Sequence, residues 1–142
     1  LHEVASIREK ELKEDTLVYN ANMTEMKPEI GHQLPIEMYR EGYEYYVETH
    51  FHPNSHSCFL QRNLMDLMAY DPVQFMYLID QPLLMIVGDL ADTKYMSEQA
   101  FELAITTKDK ELYYLKEATH IQTYYKENVV KEAIEKLDLF YK

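Results

Sequence analysis

Glycine is scarce in this chain, with three in 142 residues. A phosphate-cradling P-loop, a G-x-G-x-x-G dinucleotide turn and a G-x-S-x-G nucleophile elbow each need paired or clustered glycines, and none of these patterns occurs. Nucleotide binding of the P-loop or Rossmann kind is therefore excluded. Cysteine is scarcer still: Cys58 stands alone, so no internal disulfide can form. Cations are also few. Lys plus Arg number 14 against 25 Asp plus Glu, a formal charge of −11, and a phosphate-backbone partner would need clustered cations to release counterions. Nucleic acid is not an expected partner. The longest apolar run, at 82–87, falls far below the ~20 residues that span a bilayer, so no membrane association is expected. No basic-then-apolar leader opens the chain, and the expected setting is a reducing cytoplasm.

What is present falls into two parts, within a length that suits one domain of ordinary size. Residues 1–81 read as helical with long connections. "LHEVASIREKELKED" opens inside a helical pattern, with Val4, Ile7 and Leu12 as its apolar positions; such an opening suits a trimmed or truncated product. "NANMTEMKPEIGHQLP", with Pro28, Gly31 and Pro35, predicts an exposed loop. "IEMYREGYEYYVET" predicts a helix with a packed stripe at Met38, Tyr39, Tyr43, Tyr46 and Val47. "FHPNSHS" interrupts it. "CFLQRNLMDLMAY" and a short "DPVQFMYLID", with Asp71 as cap and Pro72 at the first helical position, predict two more helices.

Residues 82–142 change character. "PLLMIVG" is a continuous apolar run ended by Gly88, the pattern of a strand buried on both faces of a parallel sheet. Ser97 is placed to cap a helix over "SEQAFELAITT", with Ala100, Phe101, Leu103 and Ala104 facing inward. "ELYYLK" predicts a second strand. "NVVKEAIEKLDLFYK" predicts a closing helix with Val129, Ala133, Ile134, Leu137 and Phe140 in step. Strand, helix, strand, helix is a βαβα unit with parallel strands, and the fold class is α/β.

In such sheets the functional groups lie just beyond the carboxyl ends of the strands. Asp89 and Asp92 follow the first strand in "GDLADTKYMS", and His120 follows the second in "EATH". An acid and a histidine on neighbouring loops at one sheet edge suit a carboxylate orienting an imidazole as general base. Two solvated loop residues would give the same spacing.

The runs "QPLLMIVGDLADTKYMSEQAF" and "KELYYLKEATHIQTYY" resemble the C-terminal part of α/β-hydrolases of the dienelactone-hydrolase-like group. The upstream "REGYEYYVETHFHPNS" and "FLQRNLMDLMAYDPVQFMYLIDQPLLMIVG" resemble the helical insertion that precedes the penultimate strand in that group. The resemblance covers nearly the whole chain and implies a helical cap-like insertion over 1–81 followed by the closing βαβα portion of a hydrolase sheet over 82–142. It implies His120 as the catalytic histidine and Asp92 as the orienting acid. The commoner G-x-x-D-x-x-x-P form is not met, since Asp92 is four residues after Gly88 with no proline in step, so Asp89 and Glu98 stay open as the acid. The nucleophile and its elbow belong to an earlier strand that this chain does not contain. Its four serines, Ser6, Ser55, Ser57 and Ser97, sit in a helix, a loop and a cap rather than on a strand-to-helix turn.

The implied activity is hydrolysis of an ester, thioester or amide through an acyl-enzyme, with no cofactor. The chain alone, lacking the nucleophile, is expected to be inactive. Its expected partners are a small acyl substrate in the complete protein and either the N-terminal half of the hydrolase fold or a second copy of the chain. Tyr43, Tyr46 and Phe51 are candidates to line the acyl pocket, although tyrosine at helical spacing is more often simply a core residue. Two rival readings remain. "HFHPNSH" gathers His50, His52 and His56, a set of imidazoles of the kind that binds zinc or nickel, but the spacing fits no structural zinc pattern and no metal is expected. A non-catalytic helical interaction module would suit the 13 tyrosines, since aromatic residues are enriched at interfaces.

Overall fold

The computed structural model describes residues 2–55 and 57–142. Two compact units divide at Asp71, and the second runs from Pro72 to Lys142. The sequence reading set its boundary at 81/82. The 3₁₀ segment Pro72–Leu78 goes instead with the sheet, where the Thr106 hydroxyl donates to the Tyr77 carbonyl at 2.5 Å.

The helical unit begins with α1, His2–Glu14. Its inner face differs from the expected stripe: Val4 is buried, but Leu12 is 86% exposed and its neighbour Glu11 is buried. Glu11 turns inward because the chain leaving the helix needs an acceptor. Its Oε1 takes the Val18 N–H at 2.9 Å, and its Oε2 faces Arg62 Nη1 at 3.5 Å. Asp15, in the left-handed region at φ 49°, ends the helix.

The run after α1, expected as an exposed loop, is built on polar tethers. Asn20 N–H donates to the Phe59 carbonyl at 3.1 Å, Gln61 N–H to Val18 at 2.9 Å, and Tyr19 and Leu60 form an antiparallel bridge. The buried Asn22 accepts from Thr24 N–H and from the Ser57 hydroxyl. The turn α2, Pro28–Gly31, then packs on α3, Glu37–Tyr43. A Cβ on Gly31 would lie 2.5–2.6 Å from the Tyr43 ring, so glycine is what admits that ring. From α3 the chain passes into a π-helical turn, Glu44–Thr49, and later into α4, Leu64–Ala69.

The second unit is α/β. Strand β1, Leu83–Gly88, pairs in parallel with β2, Lys110–Leu115, in register from Leu83↔Lys110 to Gly88↔Leu115. Between them runs α5, Lys94–Leu103; after β2 come the short turn α6, Gln122–Tyr125, and α7, Glu127–Phe140. The core joins Leu115, Ala118 and Val129 with half-buried Ile86, Tyr113 and Ala133.

Three local expectations change here. In β1 only Val87 and Gly88 are buried and the other residues are half-buried, because among the described residues the sheet has two strands and cannot cover both faces. Helix α5 starts three positions before Ser97, which therefore lies inside it rather than capping it. On α7, Val129 is buried, while Ile134 and Leu137 are 59% and 39% exposed.

Candidate functional site

Both loops of interest leave the same edge of the sheet, since β1 and β2 are parallel. They are joined through main-chain atoms. Asp89 N–H donates to the Leu115 carbonyl at 3.0 Å, and Leu90 N–H donates to the Ala118 carbonyl at 3.1 Å. Gly88 makes this approach possible: a Cβ there would lie 2.2 Å from Ala118 O and 3.1 Å from Thr119 O. The second loop makes its turn with Glu117 in the left-handed region at φ 52°, a conformation that costs a non-glycine residue about 1 kcal/mol or more.

His120 follows three residues later and is half-buried. A reciprocal capping pair holds its neighbours: Gln122 N–H donates to the Thr119 hydroxyl at 3.3 Å, and Thr119 N–H to Gln122 Oε1 at 3.4 Å. The Thr123 hydroxyl donates to the His120 carbonyl at 2.7 Å. These bonds lead into α6 and set the imidazole just before its first residue.

Both ring nitrogens meet hydroxyls. Nδ1 lies 3.4 Å from Thr93 Oγ1, and Nε2 lies 2.5 Å from the Tyr124 hydroxyl. Thr93 occupies the N-cap position of α5 yet makes no side-chain capping bond. Its hydroxyl is with the imidazole instead.

The sequence-derived acids stand as follows. Asp92 is exposed and, among the described residues, makes no hydrogen bond or ion pair, so the expected Asp92–His120 contact is not formed. The reason is local: the turn before α5 presents Thr93, one residue on, to Nδ1. Glu98 is engaged elsewhere, accepting from the Tyr114 hydroxyl at 2.9 Å. Asp89 is half-buried, and its Oδ1 is shielded from solvent with no hydrogen-bond partner among the described residues, while Lys94 Nζ donates to its carbonyl at 2.9 Å.

The hydroxyl of Tyr113 donates to Glu132, and that of Tyr114 to Glu98, each at 2.9 Å. These bonds to carboxylates, then desolvation, raise both phenol pKa values above the ordinary 10.0.

Residues proposed for the acyl pocket lie in the helical unit. Tyr43 is 1% exposed and belongs to the core. Tyr46 lines a cleft of about 330 Å³ with Asn22, Met23, Thr24, Ser55 and Ser57, and Phe51 is exposed. Of the histidine-rich loop, His56 lies outside the described residues. His50 stacks on Tyr45 with centroids 4.5 Å apart, and His52 Nδ1 accepts from Asn54 N–H at 3.2 Å. Among the described residues no three His, Cys, Asp or Glu side chains gather as metal ligands, and no helix is long and apolar enough to cross a membrane.

Sequence reasoning reached His120 from its place after a strand. It missed Thr93 and Tyr124. The available signal for Tyr124 was its spacing, since side chains four positions apart come together where the chain turns into a helix.

No family model matches the chain, and no curated protein matches it. A crystal structure of hypothetical protein PA2218 from Pseudomonas aeruginosa is similar in fold, with a TM-score of 0.76 at 21% identity. The match covers 98% of this chain and 42% of that one, so this chain spans less than half the length of that protein.

Proposed function

We propose that this chain is the C-terminal portion of a serine-dependent α/β-hydrolase of the dienelactone-hydrolase-like group, acting on an ester, thioester or amide. His120 is its general base, and the orienting acid belongs to the same sheet edge, where Asp92 and Asp89 on the loop after β1 are the candidates. The observation that carries the reading is the meeting of His120 Nδ1 with the loop that follows β1, through Thr93 Oγ1 at 3.4 Å. In an acyl-transfer triad an orienting group holds Nδ1–H, which leaves Nε2 to take the nucleophile's proton. Thr93 stands where that group is needed, and Asp92 precedes it by one residue. Asp89, half-buried on the same loop, is the other acid at this edge.

The serine and the oxyanion donors come from the N-terminal half of the fold. The apolar surface left exposed around the sheet, including Leu90 at 62% and Ile134 at 59%, is in keeping with a second body of chain against it. So is the greater length of the similar structure.

The test compares this chain with the longer polypeptide encoded by the upstream reading frame, using an activated aryl ester. Turnover is expected in the longer polypeptide, reduced by several orders of magnitude by H120A, with nothing above the background of free imidazole in this chain alone. Turnover by this chain alone, abolished by a serine-directed inhibitor, would place the nucleophile among Ser6, Ser55, Ser57 and Ser97. A longer polypeptide with no His120-dependent turnover would leave the non-catalytic interaction module, which exposed aromatics such as Tyr70 at 70% favour.

A further inference from the structure

The short contact between His120 and Tyr124 has no role in the triad scheme. We infer that Tyr124 is a positioning residue for His120: its phenol donates to Nε2, which fixes the imidazole as the Nδ1–H tautomer and keeps the basic nitrogen covered until another hydroxyl or thiol displaces it. The inference concerns the same histidine as the proposed function, but its first claim, the state of the ring, holds whether or not the protein is a hydrolase.

Distance and acidity together favour one direction for the bond. A neutral imidazole has one N–H donor and one lone-pair acceptor, and the bond made by one nitrogen decides which proton the other carries. Tyr124 Oη lies 2.5 Å from Nε2, whereas Thr93 Oγ1 lies 3.4 Å from Nδ1. The closer partner dominates the choice. A phenol is the more acidic of the two hydroxyls, with an ordinary pKa near 10, and a short contact to a ring nitrogen is best made by O–H donating to the lone pair. Nδ1 then carries the proton, and Thr93 Oγ1 accepts it.

The placement is built rather than incidental. Tyr124 follows His120 by four positions, and the Thr119–Gln122 capping pair and the Thr123 bond to the His120 carbonyl order the turn that carries both. The two rings meet edge to face, with centroids 5.2 Å apart and planes at 75°. Tyr124 is 43% exposed. The phenol thus covers the nitrogen that a nucleophile's proton would reach, and it preselects the tautomer that general-base catalysis needs. What replaces it must bring its own O–H or S–H proton to Nε2.

The test uses the chain as it stands. Long-range ¹H–¹⁵N spectra of the histidine rings, recorded where the rings are neutral, report the tautomer of His120. The wild-type chain is expected to show Nδ1–H predominating, and Y124F to lose that predominance, with Y125F unchanged. Diethyl pyrocarbonate, which acylates an unprotonated ring nitrogen, gives a second readout when the modified histidine is located by peptide mass. Losing one hydrogen bond of ordinary net strength should speed modification of His120 in Y124F by about fivefold, with the other histidines unaffected. An Nε2–H tautomer in the wild type, or identical spectra and modification rates in Y124F, would overturn the inference. Circular dichroism of Y124F checks that the helices persist; should they be lost, T93A keeps the question open to decision, because Nδ1–H should still predominate there if Tyr124 sets it. A hydrolase assay that fails while the tautomer result holds would reject the proposed function and leave this inference standing.

Discussion

The two units are held by different physics. From Pro72 onward the chain buries a contiguous apolar set, with Leu115, Ala118 and Val129 packed under a pair of parallel strands. Before that, the buried hydrophobic residues are Val4 and Tyr43, and the ordering falls to side chains that bond the backbone: Glu11 to Val18, Asn20 to Phe59, Ser57 to Met23 and Arg8 to Arg62. Area burial is non-directional and tolerates small shifts, while a tether is lost outright when its one acceptor goes. The sheet unit should therefore answer mainly to volume, and the helical unit mainly to polar deletion.

The sharpest test of this contrast sets the two packed glycines against each other. In G88A the new methyl would meet backbone oxygens that the strand register holds in place, and a loss of about 3 kcal/mol or more is expected on urea denaturation. In G31A it would meet the ring of Tyr43, a side chain, and about 1–3 kcal/mol is expected, confined to the helical unit. Equal losses would show that the two obstacles yield alike and would break the comparison.

A polar deletion comes next. E11A removes the acceptor of Val18 N–H and the partner of Arg62, and should cost about 2 kcal/mol. E11Q keeps an acceptor for Val18 and should cost about half of that. If E11A left the denaturation midpoint unchanged, the tethers would be bystanders.

The smallest effect is alkaline. Tyr113 and Tyr114 have pKa values raised by their bonds to Glu132 and Glu98, so the folded chain favours the protonated phenols. The stabilisation this gives is fully present below the unfolded value near 10 and is lost as pH rises through the higher folded values. In a spectrophotometric titration two tyrosines should ionise late, and E132Q should bring one of them forward. Early ionisation of all the tyrosines together would rule out both bonds.

Sequence periodicity located the sheet unit well because its elements bury apolar residues at regular spacing. "PLLMIVG" and "ELYYLK" fall within a residue of β1 and β2, and the closing helix starts one residue earlier than expected. The helical unit was less legible, since its order comes from single tethers with no periodic signature. Gly31 looked like loop punctuation but serves the Tyr43 ring, and Leu12 looked like core but lies outside Glu11. At the site, His120 could be found from its place after β2. Its partners could not, because which residue of the "ADT" turn meets Nδ1 depends on where α5 begins, and α5 begins before its expected cap.

The joint at Gly88 carries a consequence for how this edge of the sheet tolerates change. What fixes the spacing between the loops of Asp92 and His120 is a set of main-chain atoms: the N–H groups of Asp89 and Leu90 and the carbonyls of Leu115 and Ala118. None of these depends on side-chain identity, whereas the close approach itself depends on the missing Cβ of Gly88. Exposed residues on both loops can therefore be exchanged, and the chemistry they offer retuned, without altering the distance across which they act, whereas Ala91 and Ala118 are buried. One glycine fixes the frame, and the exposed positions of the two loops, Asp92 among them, are left free to vary.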